Sequence, residues 1–326
     1  MQRRAFLLGA AALAFAGEAR ALDFDFTAAA AYSAARRGVS LLVMRDGRVL
    51  FEDYPDPGGA ARAWELASGT KSFTGVIAAA AVQDGLLSLD EPAAETLTEW
   101  RDDPLRRRIT IHNLLSLNSG LRARGQRPPS YAGAVATPAQ YPPGTRFEYG
   151  PAPFQAFGEI MRRKLRRDAD PLAYLQRRVL APIGVHPAQW SRGRDGMPLM
   201  PQGAHVTARD WATFGHWVMQ GGRGLVDRAA LEQCFVPSPT NPGYGMSWWL
   251  IRPGLIPPSP LAGVSDIDAA AVAQLGETVM AAGAGDQRLY LLRERGVLVA
   301  RQARFRGMLR SPRWRDTEFL RTLLRA

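Results

Sequence analysis

The spacing of apolar and polar positions changes along this chain, and the changes predict where strands give way to helices. Near the start, Leu41-Leu42-Val43-Met44 leads through Asp46-Gly47 into Val49-Leu50-Phe51. Two short apolar runs joined by Asp-Gly predict a β-hairpin over 39–54. Toward the other end, 277–282, 288–292 and 297–301 read as further short strands, with Glu294-Arg295-Gly296 as a turn. Between them, the stretch 72–84 carries the run Ala78 to Ala81 and stops at Gly85, which predicts a helix with its stop signal. Segments 111–115, 154–165, 172–180 and 208–219 also read as helical, separated by Pro- and Gly-rich punctuation such as Pro142-Pro143-Gly144. The expected fold class is therefore α/β (α+β): an antiparallel sheet closed by both chain ends, flanked by helices, with a mainly helical insertion. The expected division is a split α/β domain from 22–75 and 240–326 around a helical region at 76–239. No internal repeat is present.

The first residues address the chain rather than shape it. Gln2-Arg3-Arg4-Ala5-Phe6-Leu7-Leu8 is a twin-arginine pattern, and the apolar run 5–16 behind it is too short to span a bilayer. Ala19-Arg20-Ala21 supplies a small-x-small cleavage site. Residues 1–21 are thus expected to be a twin-arginine signal peptide. The mature chain would begin near Leu22, carry no stable membrane anchor and work in the periplasm or outside the cell. An uncleaved anchor or a buried helix is the competing reading. The single cysteine, Cys234, suits a chain folded before export, since it can form no internal disulfide.

Charge raises a second question and then answers it. The formal net charge of +11 invites nucleic acid as a partner, but of 41 Lys and Arg residues all except Lys71 and Lys164 are arginines, scattered along the whole chain. That distribution reads as coding bias, and no aromatic-interleaved module accompanies it. The densest cluster, Arg162 to Arg167, follows an apolar helical stretch and reads as a solvated helix end. At 46% hydrophobic and 22% charged, the composition is that of an ordinary globular protein.

One of the two lysines stands three residues after a serine, in Ala67-Ser68-Gly69-Thr70-Lys71, where the apolar helix begins. Positions three apart on a helix share a face, so the hydroxyl and the amine can meet. A serine is a poor nucleophile until a neighbour removes its proton, and a lysine does so only when its pKa is lowered. Chance alone gives about 0.1 such pairs in a chain of this make-up, so a stray lysine at a surface helix start remains open.

The wider text resembles the serine β-lactamase and penicillin-binding-protein superfamily, nearest its class C β-lactamase-like branch with esterases and 6-aminohexanoate-dimer hydrolase. Trp64-Glu65-Leu66-Ala67-Ser68-Gly69-Thr70-Lys71-Ser72-Phe73 is similar to the nucleophile segment of that group. Leu87-Ser88-Leu89-Asp90-Glu91-Pro92 and 109–121 resemble the connector after it, and Pro143-Gly144-Thr145-Arg146-Phe147-Glu148-Tyr149 the approach to its tyrosine motif. Val206-Thr207-Ala208-Arg209-Asp210-Trp211 and Tyr244-Gly245-Met246-Ser247-Trp248-Trp249 match later landmarks in order. The resemblance implies Ser68 as acyl-accepting nucleophile, Lys71 as its hydrogen-bonded partner and Tyr149 as a phenol or phenolate that shuttles the proton. A phenol acts as a base only if cations depress it, and Lys71 is the expected cation. Gly283-Ala284-Gly285-Asp286-Gln287 fits the place of the family's sheet motif. There the backbone N–H of Asp286 would join that of Ser68 as oxyanion hole, with Gly283, Ala284 and Gly285 lining the substrate. A half-buried aromatic for Tyr149 and a plain hairpin turn for 283–286 are the bland alternatives.

Two positions depart from the family pattern. Pro151 stands where an asparagine is usual, which removes a hydrogen bond to Lys71 or to a substrate amide. Gly283 stands where a polar or cationic residue begins the sheet motif, which removes a clamp for a substrate carboxylate, although Arg288 on the next strand could bind an anion. The expected function is an exported serine hydrolase acting on a small ester or amide, with weak β-lactam turnover at best. The competing reading is a catalytically silent acyl- or cell-wall-binding protein on the same scaffold. No cofactor is called for. The histidines His112, His186, His205 and His216 form no metal motif, no Gly-x-Ser-x-Gly string occurs, and the two glycines at 283 and 285 do not make a nucleotide loop.

Overall fold

The computed structural model describes residues 23–123, 125, 127–166, 170–258, 273–307 and 310–325. The expected signal peptide at 1–21 and the mature start at Leu22 lie outside the described residues. The chain opens with helix α1 (Phe26–Ala35), capped by the Asp25 carboxylate, which accepts from the Ala28 N–H at 2.9 Å. The expected hairpin follows as β1 (Gly38–Arg45) and β2 (Arg48–Asp53). Asp46 and Gly47 turn it at φ 49° and 81°, the left-handed pair that a two-residue hairpin of the right twist requires.

A short strand β3 (Trp64–Glu65) leads into a 3-10 turn over Ala67–Thr70 and then helix α2 (Lys71–Gln83). Next come α3 (Ile111–Leu115), α4 (Tyr131–Val135), α5 (Ala152–Leu165) and α6 (Pro171–Leu175). The segment expected as one helix over 172–180 is instead α6 followed by a π-type turn over Gln176–Leu180. Strands β4 (Gln189–Trp190) and β5 (Ala204–Val206), then helices α7 (Ala208–Met219) and α8 (Arg228–Glu232), complete the middle of the chain. The end supplies β6 (Trp249–Leu250), β7 (Thr278–Gly283), β8 (Gln287–Leu292), β9 (Val297–Ala303) and helix α9 (Asp316–Leu324).

The main sheet runs β2-β1-β9-β8-β7-β6, antiparallel throughout, so both chain ends build it as the strand pattern predicts. One row of directly paired residues, Phe51, Val43, Val299, Tyr290, Met280 and Trp249, crosses all six strands. Every residue of β7, β8 and β9 is buried, because helices cover both faces. On one face α7 lies so close that a Cβ at Gly215 would stand 2.6 Å from a methyl of Leu298. On the other face α1 and α9 pack against each other and against the strands. A smaller sheet, β3-β5-β4, holds the start of α2.

Between β8 and α9 the sheet buries charge. Arg288 and Asp316 are almost fully inaccessible and pair at 2.6 Å, and the Tyr290 hydroxyl and Trp314 indole N–H also donate to that carboxylate. The pair is not an anion site. Arg288 spends its Nη1 donors on the carbonyls of Gly283 and Gln287, at 3.2 and 3.0 Å, and its charge on Asp316, which corrects the expectation that it could bind a substrate anion. The β7–β8 turn is held further by Arg37, paired with the Asp286 carboxylate at 2.6 Å, and by Arg301, which donates to the Asp286 carbonyl at 2.7 Å. Replacing one member of a buried pair strands the other charge, at a cost of about 3–5 kcal/mol. Asp316→Ala should therefore lower stability in urea by about that much, and a loss under about 1 kcal/mol would show that the pair does not brace the sheet.

Candidate active site

Ser68 owes its position to a strained turn. The Leu66 N–H donates to the Ala204 carbonyl of β5 at 2.9 Å, and Ala67 then takes a left-handed φ of 45°, unusual for a residue with a side chain. That bend swings the chain from β3 into the 3-10 turn that carries Ser68, ahead of the α-helix on which it was expected. Residues three apart eclipse one another in a 3-10 turn. The Lys71 amine, at the first residue of α2, thereby reaches the Ser68 hydroxyl at 3.0 Å. The turn is locked from within: the Thr70 hydroxyl donates to the Ala67 carbonyl and the Ser72 hydroxyl to the Gly69 carbonyl, both at 2.7 Å.

Helix α2 is buried from Lys71 through Ala81, and its small residues allow close neighbours. At Gly75 a Cβ would come within 2.8 Å of the Cys234 sulfur, so the lone cysteine is a packing residue whose thiol burial keeps protonated. Lys71 is 4% exposed, and loss of water lowers its amine from 10.5 to about 7. Its ammonium position lies 4.8 Å from the Tyr149 ring centre and 5.4 Å from that of Phe154. Among the described residues no carboxylate pairs with it. Its second hydrogen bond goes to the carbonyl of Pro201 at 3.1 Å. The bond expected to be lost through Pro151 is thus supplied from a different part of the chain.

Tyr149 sits just before α5, where Pro151 takes the helix-cap position and presents no side-chain partner. Its ring stacks on Trp249 of β6 at 5.6 Å between centres and meets Tyr244 edge-on at 6.5 Å. Burial pushes the phenol up to about 12, against the smaller opposing effects of its hydrogen bond with Ser68 and the charge of Arg288. The expectation that Lys71 would depress this phenol is not met, because an amine that loses its proton near 7 is already neutral at the far higher pH where the phenol titrates. The structure thus brings Ser68, Lys71 and Tyr149 together, an amine that titrates near neutrality and a phenol that stays protonated well above it around one hydroxyl.

The 283–286 hairpin is the fourth part. Gly283 ends β7 against the nucleophile turn: a Cβ there would collide with the Leu66 carbonyl oxygen and stand 3.0 Å from the Gly69 nitrogen. Glycine is therefore required for the strand end to approach Ser68. Ala284 and Gly285 form the turn, and Asp286, at φ 67°, directs its carboxylate away to Arg37. Sequence reasoning missed Pro201, because a backbone carbonyl has no residue signature, and it missed the aromatic wall of Tyr244 and Trp249. Among the described residues no group of three or more His, Cys, Asp or Glu side chains is placed to hold a metal ion.

Comparison with solved structures places this architecture. A protein from Bacteroides dorei DSM 17855 assigned as a beta-lactamase superposes with a TM-score of 0.72 at 19% identity, covering 93% of this chain and 100% of the other. EstCE1, a hydrolase with promiscuous acyltransferase activity, gives 0.68 at 15% identity over 90% and 96% of the two chains. A Bacillus anthracis protein assigned as a 6-aminohexanoate-dimer hydrolase gives 0.64 at 16% identity over 82% and 74%. The fold is the mixed α/β beta-lactamase/transpeptidase fold. No curated protein sequence matches the chain. The beta-lactamase family profile matches residues 24–305, and the chain belongs to that family of serine hydrolases.

Proposed function

We propose that this protein hydrolyses a small, neutral ester or amide through an acyl-enzyme on Ser68. The observation that carries the reading is the buried Lys71 amine 3.0 Å from the Ser68 hydroxyl, lowered to about 7 by burial alone. A neutral amine in that place accepts the Ser68 proton as Oγ adds to the substrate carbonyl carbon. The oxyanion would form between the Ser68 N–H and an N–H of the 283–286 hairpin, for which we propose Asp286, with Gly283, Ala284 and Gly285 beside the substrate. Tyr149, protonated near neutral pH, gives its proton to the leaving oxygen or nitrogen and recovers one from the Lys71 ammonium. In the second half, water loses a proton to this pair, adds to the acyl carbon, and Ser68 leaves as a hydroxyl.

A neutral substrate is favoured by where the positive charge lies. Arg288 is consumed by Asp316, Lys71 gives up its proton near 7 and so holds no fixed positive charge, and Gly283 offers no side chain. A β-lactam brings a carboxylate, for which Gly283 offers no clamp and Arg288 no free charge, so its turnover is expected to be weak. We also propose export, on the strength of the twin-arginine leader.

Three measurements test these readings. Hydrolysis of p-nitrophenyl butyrate should fall by roughly 1,000-fold or more in Ser68→Ala. The kcat/KM of the parent should rise with pH to half its plateau near 7, as Lys71 loses its proton, with no second limb below about 10 because Tyr149 stays protonated. Equal rates in parent and variant would remove Ser68 as nucleophile. For export, Arg3→Lys with Arg4→Lys should hold the chain in the cytoplasmic fraction of a bacterial host with a twin-arginine pathway; unchanged export would refute that route.

A further inference from the structure

Residues 198–201 run past the active-site lysine as a strap with every carbonyl engaged. The Pro198 carbonyl accepts from the Tyr131 hydroxyl of α4 at 3.0 Å, and that of Leu199 from the Trp190 indole N–H of β4 at 2.9 Å. The Met200 carbonyl accepts from the Thr74 hydroxyl at 3.0 Å, and that of Pro201 from Lys71 at 3.1 Å. From the other side, the Met200 N–H donates to the Gln155 side-chain oxygen at 2.9 Å, while the Gln155 amide N–H₂ donates to the Pro129 carbonyl at 2.8 Å. Thr74 and Gln155 are both wholly buried. Thr74 stands three residues after Lys71 on α2, so one face of one helix holds two successive carbonyls of the strap.

This arrangement suits a neutral amine. Such an amine has two N–H donors and one lone pair, and nucleophile activation needs the lone pair aimed at the Ser68 hydroxyl. A carbonyl can only accept, so it takes an N–H and turns the lone pair without supplying a proton. The strap lies against Lys71 at the Pro201 carbonyl, while the rings of Tyr149 and Phe154 lie against it elsewhere. The titratable groups facing the amine are the Ser68 hydroxyl and the Tyr149 phenol, with Arg288 acting on that phenol.

We propose that residues 198–201 form a strap that orients the Lys71 amine and shields it from water, and that Thr74 and Gln155 are the positioning residues that hold it. The role rests on the reading of Lys71 as the base for Ser68, but its test does not require turnover. The chain has only two lysines, so ¹³C-lysine labelling of the full chain gives two side-chain signals, which Lys164→Arg assigns. In the parent, Lys71 should titrate near 7. Thr74→Val and Gln155→Met remove the strap's hydrogen bonds at nearly constant volume. Each should admit water and raise that midpoint by at least about one pH unit, while Thr74→Ser, which keeps the hydroxyl, should stay at the parent value. An unfolded variant is recognised by both signals titrating near 10.4, and if Gln155→Met unfolds the Thr74 pair decides alone. A folded Thr74→Val with an unmoved midpoint, or Thr74→Ser behaving as Thr74→Val, overturns the proposal. If the midpoint moves as expected but the parent shows no Ser68-dependent hydrolysis, the strap stands and the hydrolase reading falls.

Discussion

A lysine amine buried with no described carboxylate beside it is the constraint on which the rest of this site depends. In water Lys71 would hold its proton to about 10.5, and in the folded protein it releases it near 7. Between those values the unfolded chain binds one more proton than the folded one. Stability therefore rises as pH climbs through that window, and the full cost falls below pH 7. The surrounding fold carries the cost. Helix α2 is packed on every side, its start is pinned to β5, and its alanines and glycine let neighbours come close enough to leave no water.

The same economy of water explains how two groups with overlapping free pKa values come to different roles. Burial disfavours the charged form of each, so it pulls the lysine down and pushes the tyrosine up. The result is an amine that titrates near neutrality and a phenol that stays protonated well above it around one hydroxyl, the separation that the proposed base and acid roles need. The β7–β8 hairpin contributes in a different way. Arg37 after α1, Arg288 of β8 and Arg301 of β9 tie its turn to α1 and α9, and its other edge meets the nucleophile turn with the bare backbone of Gly283.

Much of this was legible in the residues, and the parts that were not share a cause. The Asp46-Gly47 hairpin, the terminal strands and α2 follow from local patterning that each segment carries by itself. Helix α1 does not: its Ala-rich run buries only Ala29 and Ser33 and so shows no apolar stripe. Strands β3, β4 and β6 are two residues long, below any detectable period. In the site, the three-residue step from Ser68 to Lys71 is local, whereas Tyr149 and the 283–286 hairpin were reached through resemblance. Arg288 was misjudged because its partner Asp316 lies 28 residues away on a helix the pattern did not announce. Pro201, Thr74 and Gln155 act through backbone carbonyls and buried amides, which leave no mark in sequence.

The central claim is that Ser68 is the group that receives the acyl chain. Treating the protein at pH 8 with a small fluorophosphonate, then mapping the adduct by peptide mass spectrometry, reads that claim directly. One phosphonyl group per chain, on the peptide containing Ser68 and lost on prior denaturation, is the predicted result. An unmodified Ser68 under conditions that label other residues of the folded protein would contradict it.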